Sequence, residues 1–168
     1  CDVPKMVYGS KPTGNLFVTL EERNELIAKY PDVLPFVRKF LGATEFINSQ
    51  ERYCLWLKEA NPSVVRKCPI VLERIEEVRN ERLKSTKAAT RKLAETPMLF
   101  DEDRQPESDY ILVPRHSSER RIYIPMGFVN KDVICGDANQ LIPNATTYDF
   151  GILTSILHMA WMRVVCGR

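Results

Sequence analysis

The sequence contains no C-x-x-C pair and no H-E-x-x-H, and its only histidines are His116 and His158. A zinc ribbon or a His-rich centre needs more ligands at closer spacing, so no metal ligands are assigned. Five cysteines, at positions 1, 54, 68, 135 and 166, are odd in number and scattered, which speaks against a disulfide framework and favours a reducing, cytoplasmic setting. No apolar run approaches the roughly 20 residues of a membrane helix, so no membrane partner is expected. A signal-peptide pattern is missing too. The chain opens on the polar "CDVPKMVYGSKPTGN", without an initiator methionine, and stops at "VVCGR" straight after an apolar helical pattern, so it reads as a piece of a longer polypeptide.

Catalytic signatures are equally scarce. There is no G-x-x-x-x-G-K-[ST] loop, no G-x-G-x-x-G and no G-x-S-x-G. Asp101 and Asp103 sit in a polar connector and read as solvated turn residues. Cys135 and His116 are a nucleophile and a base in type, but no third residue in the sequence would orient them. An excised binding module explains this silence better than an enzyme, and no catalytic residue is assigned.

What is present suits one globular domain. The 168 residues are 44% hydrophobic and 27% charged, enough for a real core and too few for two domains. Net charge is only +2, from 24 Lys+Arg against 22 Asp+Glu, so any basic function depends on where the charges cluster.

Along the chain, residues 1–18 are broken by Pro4, Gly9, Pro12 and Gly14 and read as irregular. Thr19, with Glu21 and Glu22 behind it, predicts a helix start, and Pro31 predicts its end. "DVLPFVRKFLG" predicts a second short helix closed by Gly42, and Tyr53 to Leu57 an extended run stopped at Asn61-Pro62. In "PIVLERIEEVRNERLKSTKAATRKLAE", Val71, Ile75 and Val78 mark one buried stripe, with Glu73, Arg74, Glu77 and Arg79 on a solvated face. From Arg79 to Lys92 the balance is basic: Arg79, Arg82, Lys84, Lys87, Arg91 and Lys92 against Glu81. Strand-like runs follow at 110–113, 122–125, 133–135 and 141–142. The last segment places Leu153, Ile156, Leu157, Ala160 and Val164 on one helical face, with Trp56, Trp161 and a hydrogen-bonded His158 as core residues. The expected architecture is α+β: N-terminal helices on a small, mostly antiparallel sheet, closed by a buried C-terminal helix.

The sharpest feature is "YILVPRHSSERRIYIPMGF", residues 110–128, in which two apolar runs flank one His, two Ser, one Glu and three Arg. Arg115, Arg120 and Arg121 can donate planar forks to phosphates or guanine edges, and Ser117 and Ser118 can donate to phosphate oxygens. In a regular strand Arg120 and Arg121 face opposite ways, so both reach one ligand only if the loop bends. A solvated hairpin with Glu119 paired to a neighbouring Arg stays open beside the polyanion reading.

"CDVPKMVYGSKPTGN", "FINSQERYCLWL", "AATRKLAETP", "SDYILVPRHSSERRIYIPMGF", "LIPNATTYDFGILTS" and "HMAWMRVVCGR" occur in this order. Together they resemble the target-recognition region of MmeI-like DNA methyltransferases, the type IIL restriction–modification enzymes, over essentially the whole chain. The resemblance implies a preceding catalytic domain that binds S-adenosylmethionine and carries an [ND]-P-P-[YF] motif for methyl transfer to adenine, in many members with an endonuclease domain. Here Asn61 to Val64 read "NPSV" and depart from that motif, so this segment should recognise DNA and leave methylation, with its cofactor, to the catalytic domain.

Residue by residue, the family string "P-R-x-S-S-E-R-R" matches Pro114, Arg115, Ser117, Ser118, Glu119, Arg120 and Arg121, with His116 at the variable place. "T-R-K-L-A" matches Thr90 to Ala94, making Arg91 and Lys92 phosphate candidates beside Lys87. "I-P-N-A-T" matches Ile142 to Thr146, with Asn144 and Thr146 at the rim. Strings shared by relatives with different targets position the domain without reading bases, so His116, Lys131, Asp137 and Asn139 are better specificity candidates than the arginines. The expectation is one recognition domain over 1–168 that clamps duplex DNA against the catalytic domain of the same polypeptide. A structural module that packs its basic segments on an acidic partner domain is the alternative.

Overall fold

The computed structural model describes residues 4–12, 15–118 and 120–166. Within the stretch expected to be irregular lie two short strands, β1 (Val7–Tyr8) and β2 (Phe17–Val18). Thr19 then starts α1 (Leu20–Lys29): its hydroxyl accepts the Glu22 N–H while the Glu22 carboxylate accepts that of Thr19. That N–H and the Arg74 guanidinium hold the Glu22 carboxyl below its usual range.

Pro31 stops α1, but the helix expected next is not there. A 3-10 turn over Pro31–Phe36 leads into strand β3 (Val37–Leu41), in which Val37, Phe40 and Leu41 are buried. Pro35 lacks the N–H that would continue an α-helix, while the flanking β-branched and aromatic residues suit a half-buried strand. α2 (Ala43–Asn48) had no signal in the sequence reading, and β4 (Tyr53–Leu55) falls inside the expected extended run.

α3 (Pro62–Arg66) is capped by Asn61, and α4 (Pro69–Leu83) buries Val71, Ile75 and Val78 as their spacing predicts. Two of its cations were misplaced by the pattern. Arg74 is not solvated but pairs with Glu22 at 2.6 Å. Arg82 is 1% exposed; its guanidinium donates to the carbonyls of Leu93, Thr96 and Leu99 and pairs with Asp101 at 3.0 Å. Past α4 the chain turns back through α5 (Ala88–Lys92), a 3-10 turn at Leu93–Glu95 and a further turn in which the Thr96 N–H donates to the Leu93 carbonyl and the Leu99 N–H to the Thr96 carbonyl. The planar Arg82 fork adds a second donor to the Leu93 and Thr96 carbonyls, reaches the Leu99 carbonyl, and so ties these turns to α4. Asp101 is therefore a counter-ion and not a solvated turn residue, and Asp103 is paired to Lys58 at 2.5 Å.

The remaining strands are β5 (Tyr110–Pro114), β6 (Gly127–Val129), β7 (Ile134–Cys135) and β8 (Asn139–Pro143). One antiparallel sheet runs β1-β8-β5-β6, with Leu112 opposite Leu141 on one side and Gly127 on the other. A second runs β2-β4-β3-β7, parallel only between β3 and β7. The larger core gathers Leu16, Leu55, Trp56, Val71 and Val78 between the second sheet and α4; a smaller one joins Leu41, Tyr110, Leu112, Cys135 and Leu141.

Residues 135–139 join the two sheets. The Ser10 N–H donates to the Cys135 carbonyl at 2.8 Å, and the Gly136 N–H donates to the Leu41 carbonyl at 2.9 Å. The Asn139 side-chain amide donates to that same carbonyl at 2.8 Å. Gly9 is required here, because a Cβ on it would overlap the Gly136 backbone. Gln105, in the segment expected to be a polar connector, ties in as well: its amide donates to the carbonyls of Lys131 and Val133 and accepts the Cys135 N–H.

The chain ends in two helices, α6 (Thr147–Leu153) and α7 (Ile156–Val165), separated by Thr154 and by Ser155, which caps α7. The α+β expectation holds, with two small sheets in place of one. The buried closing helix does not: Leu157 is 80% and Val164 84% exposed, Trp161 is exposed, and Met159 is the buried residue of α7. Splitting the segment at Ser155 breaks the continuous apolar face that one helix would have had. His158 is half-buried and its ring Nδ1 lies 2.8 Å from the Leu153 carbonyl, while Trp56 is core as expected.

Replacing Arg82 by Met should destabilise the protein by about 3–5 kcal/mol, because the Asp101 carboxylate and the Leu99 carbonyl lose the guanidinium together and the ties to Leu93 and Thr96 go with it. Urea denaturation checks this, and a wild-type midpoint would mean that water satisfies those groups. Burial also pushes the Cys54 and Cys135 thiols up to about 12 and raises the Tyr110 hydroxyl. Folded-state values above the unfolded 9.0 mean that the thiol contribution is complete below pH 9 and is lost as pH rises toward about 12. Unfolding free energy should therefore fall by on the order of 2 kcal/mol between about pH 8 and pH 10, measured by urea midpoints. Replacing both thiols by Ala should flatten that slope.

Candidate nucleic-acid interface

Between β5 and β6 the chain runs from Arg115 to Met126, a longer connection than the loop between strands at 110–113 and 122–125 that the sequence suggests. Ile122–Pro125, expected as a strand, is irregular, with Ile122 and Tyr123 exposed. Pro125 has no N–H for a ladder, and the pairing partner of β5 begins only at Gly127. A connection of this length, with no helix or strand among its described residues, is a common place for binding residues.

Arg115 is held at the base of this loop. Its N–H donates to the Ala138 carbonyl at 3.1 Å, which extends the β5–β8 ladder by one bond. Its guanidinium donates to the Asp137 carbonyl at 3.3 Å and lies 5.1 Å from the centre of the Tyr8 ring. Arg104 approaches the same ring at 5.8 Å, and its own N–H donates to the hydroxyl of buried Ser10. Two guanidinium groups and one phenol thus share a patch at the β1 edge. Tyr8 and Arg104 were missed by the sequence reading, and no local signal marks them: β1 reaches Arg115 only by pairing with β8.

Farther out the loop bends, as contact of both arginines with one ligand requires. The Arg121 N–H donates to the Ser118 carbonyl at 3.0 Å and the Arg120 N–H to the Ser118 hydroxyl at 3.2 Å. Arg120 and Arg121 are exposed, and His116, Ser117 and Ser118 are exposed as well. The Ser118 oxygen is used as an acceptor, which leaves its O–H free to donate outward. Glu119, expected as a local partner, lies outside the described residues.

The second cationic group sits on α5. Arg91 donates to the carbonyls of Ser85 and Thr86, both at 2.9 Å, so part of its fork closes the turn before the helix. Lys87 and Lys92 are exposed. Asn144 follows β8 at φ 56, a left-handed position that Asn tolerates, with its N–H on the Asp109 carbonyl and its side chain exposed. Lys131 is exposed and Asp137 half-buried beside Arg115.

Asn139 does not belong with these. It has no exposed surface, and its amide holds β8 to β3, so its part is in the fold. Its place outside the strings shared with the family makes it a specificity candidate; in the fold its side chain faces inward.

Among the described residues no cluster of His, Cys, Asp and Glu could hold a metal ion. The β3–Gly42–α2 turn has the local strand–glycine–helix shape that nucleotide-like cofactors use, but the Glu45 carboxylate fills the space over Gly42. These residues do not fit S-adenosylmethionine.

Residues 1–168 match the family model described as MmeI, target recognition domain. The chain is 43% identical over 169 residues to DNA methyltransferase A of Bacillus subtilis (strain 168), covering 99% of this chain and 19% of that protein. It is similar, at 46% identity and a TM-score of 0.92, to the solved type IIL restriction–modification enzyme MmeI in complex with DNA, covering 100% of this chain and 23% of that one. It thus spans about a fifth of the length of these relatives. The chain belongs to the MmeI target recognition domain family.

Proposed function

We propose that residues 1–168 form one domain that reads duplex DNA for a site-specific methyltransferase of the same polypeptide, within a restriction–modification system. The observation that carries this is the segment Arg115–Arg121, whose described cations and hydroxyls are exposed and whose base, Arg115, is bonded to Ala138 and lies beside Tyr8. A loop so anchored can press guanidinium groups on phosphates while neighbouring side chains meet base edges in the major groove. Family membership and the DNA complex of the solved relative support the same reading.

In this reading Arg115, Ser117, Ser118, Arg120 and Arg121 contact phosphates, with Lys87, Arg91, Lys92 and Asn144 as further backbone contacts. His116 leads the base-reading candidates, and Lys131 and Asp137 follow it. The chemistry is methyl transfer from S-adenosylmethionine to adenine in the catalytic domain, which would take the flipped base while this domain holds the duplex. An endonuclease domain on the same polypeptide completes the proposal.

The test uses the parent polypeptide with labelled S-adenosylmethionine and mixed-sequence DNA, mapping each modified adenine. His116→Ala should change the methylated motif. Arg120→Ala and Arg121→Ala should lower methylation of all sites together and reduce the slope of log affinity against log salt by about one each. Asn139→Ala should lower the unfolding temperature and leave the motif alone. Wild-type motif and rate in all three loop variants would remove the loop from the interface, and salt-insensitive affinity would favour packing on an acidic partner domain.

A further inference from the structure

α7 is apolar almost all round. One side, through Met159, His158 and Met162, turns toward the rest of the domain; the other presents Leu157, Trp161, Val164 and Val165 at i, i+4, i+7 and i+8 to solvent. Such a helix is stable in water only when both sides are covered, and contiguous exposed apolar patches of this kind mark interaction surfaces. Its attachment to the sheets is thin. α6 and α7 pack chiefly on each other, with the Phe128–Phe150 ring pair at 5.4 Å and the Arg163 bond to the Ile122 carbonyl at 2.6 Å as ties to the β5–β6 loop and β6. A shallow, mostly apolar groove between residues 121–126 and α6 continues the surface.

We infer that the outer face of α7, with this groove, is the seat of another domain of the same polypeptide, which meets it with aliphatic and aromatic side chains. DNA does not fit the surface: the one charged side chain of α7, Arg163, already has its guanidinium on the Ile122 carbonyl, and the rest is hydrocarbon and indole. The relatives supply the occupant's source, since this chain accounts for only 19% and 23% of their lengths, and the remainder is ample to cover one helix face. The groove also runs from Arg121 to Met126, so a domain seated there would brace the far side of the loop that carries Arg120 and Arg121. The inference rests on family membership and not on the DNA reading, so either can fail alone.

The experiment places single cysteines in the parent polypeptide by Leu157→Cys and Val164→Cys, with Glu76→Cys on the exposed side of α4 as reference. N-ethylmaleimide labelling is followed at each position by peptide mass spectrometry. Without DNA, positions 157 and 164 should react roughly tenfold or more slowly than position 76, and dilution should not change this. As a second readout, Leu157→Asp and Val164→Asp should each lower the unfolding temperature of the parent polypeptide by several degrees, whereas Glu76→Ala should not. Labelling at the reference rate would show a free face and overturn the inference. Protection lost on dilution would make a second copy the occupant, and protection seen only with a duplex oligonucleotide would make it DNA; both overturn the assignment.

Discussion

Three backbones meet where Gly9, Leu41 and Gly136 come together, and most of the candidate interface depends on that meeting. The absence of a Cβ at Gly9 lets β1 lie against residues 135–136, and the Leu41 carbonyl takes two donors, the Gly136 N–H from the link after β7 and the Asn139 amide at the start of β8. Through these bonds the two sheets hold a fixed relation. Tyr8 then lies beside Arg115, and the Arg115 N–H closes on Ala138. A bulkier residue at Gly9 would push β1 off the edge, and with it the ring against which two guanidinium groups rest.

A recognition loop has competing needs. It must be exposed enough to reach a duplex and fixed enough for its contacts to cost little ordering entropy. Here the base of the loop is bound to β8, its tip is closed on Ser118, and its return through Ile122 is tied to Arg163. The cations are therefore presented on short, anchored backbone. α5 differs: Arg91 spends part of its fork on its own turn, so Lys87 and Lys92 are its freer charges. These are the marks of a surface that positions phosphates at the loop and adds diffuse attraction elsewhere.

Several elements were legible because their signals are local. Thr19 and Glu22 cap one another within four residues, the Val71, Ile75 and Val78 stripe needs only helical periodicity, and the runs at 110–113 and 141–142 became the central pair of a sheet. The failures share one cause. Arg82 looks like any surface cation until the carbonyls of Leu93, Thr96 and Leu99 are folded over it, and Asn139 looks like a loop residue until the Leu41 carbonyl arrives from another strand. Partners distant along the chain leave no trace in a window of ten residues. α7 misled in the opposite sense: its composition signals burial, and among the described residues nothing covers its outer face.

By itself, then, the sequence determined the class of the fold, the family, the cationic loop and the absence of catalytic and metal-binding patterns, because composition, spacing and long ordered strings are properties of the chain alone. Only the tertiary structure decided which polar side chains face outward. It turned Asn139 and Arg82 inward, brought Tyr8 and Arg104 to Arg115, bent the loop at Ser118 and left the apolar side of α7 open. The physical reason is that a buried polar group is stable only where its hydrogen-bond partners converge, and in this fold they converge from segments far apart in the chain.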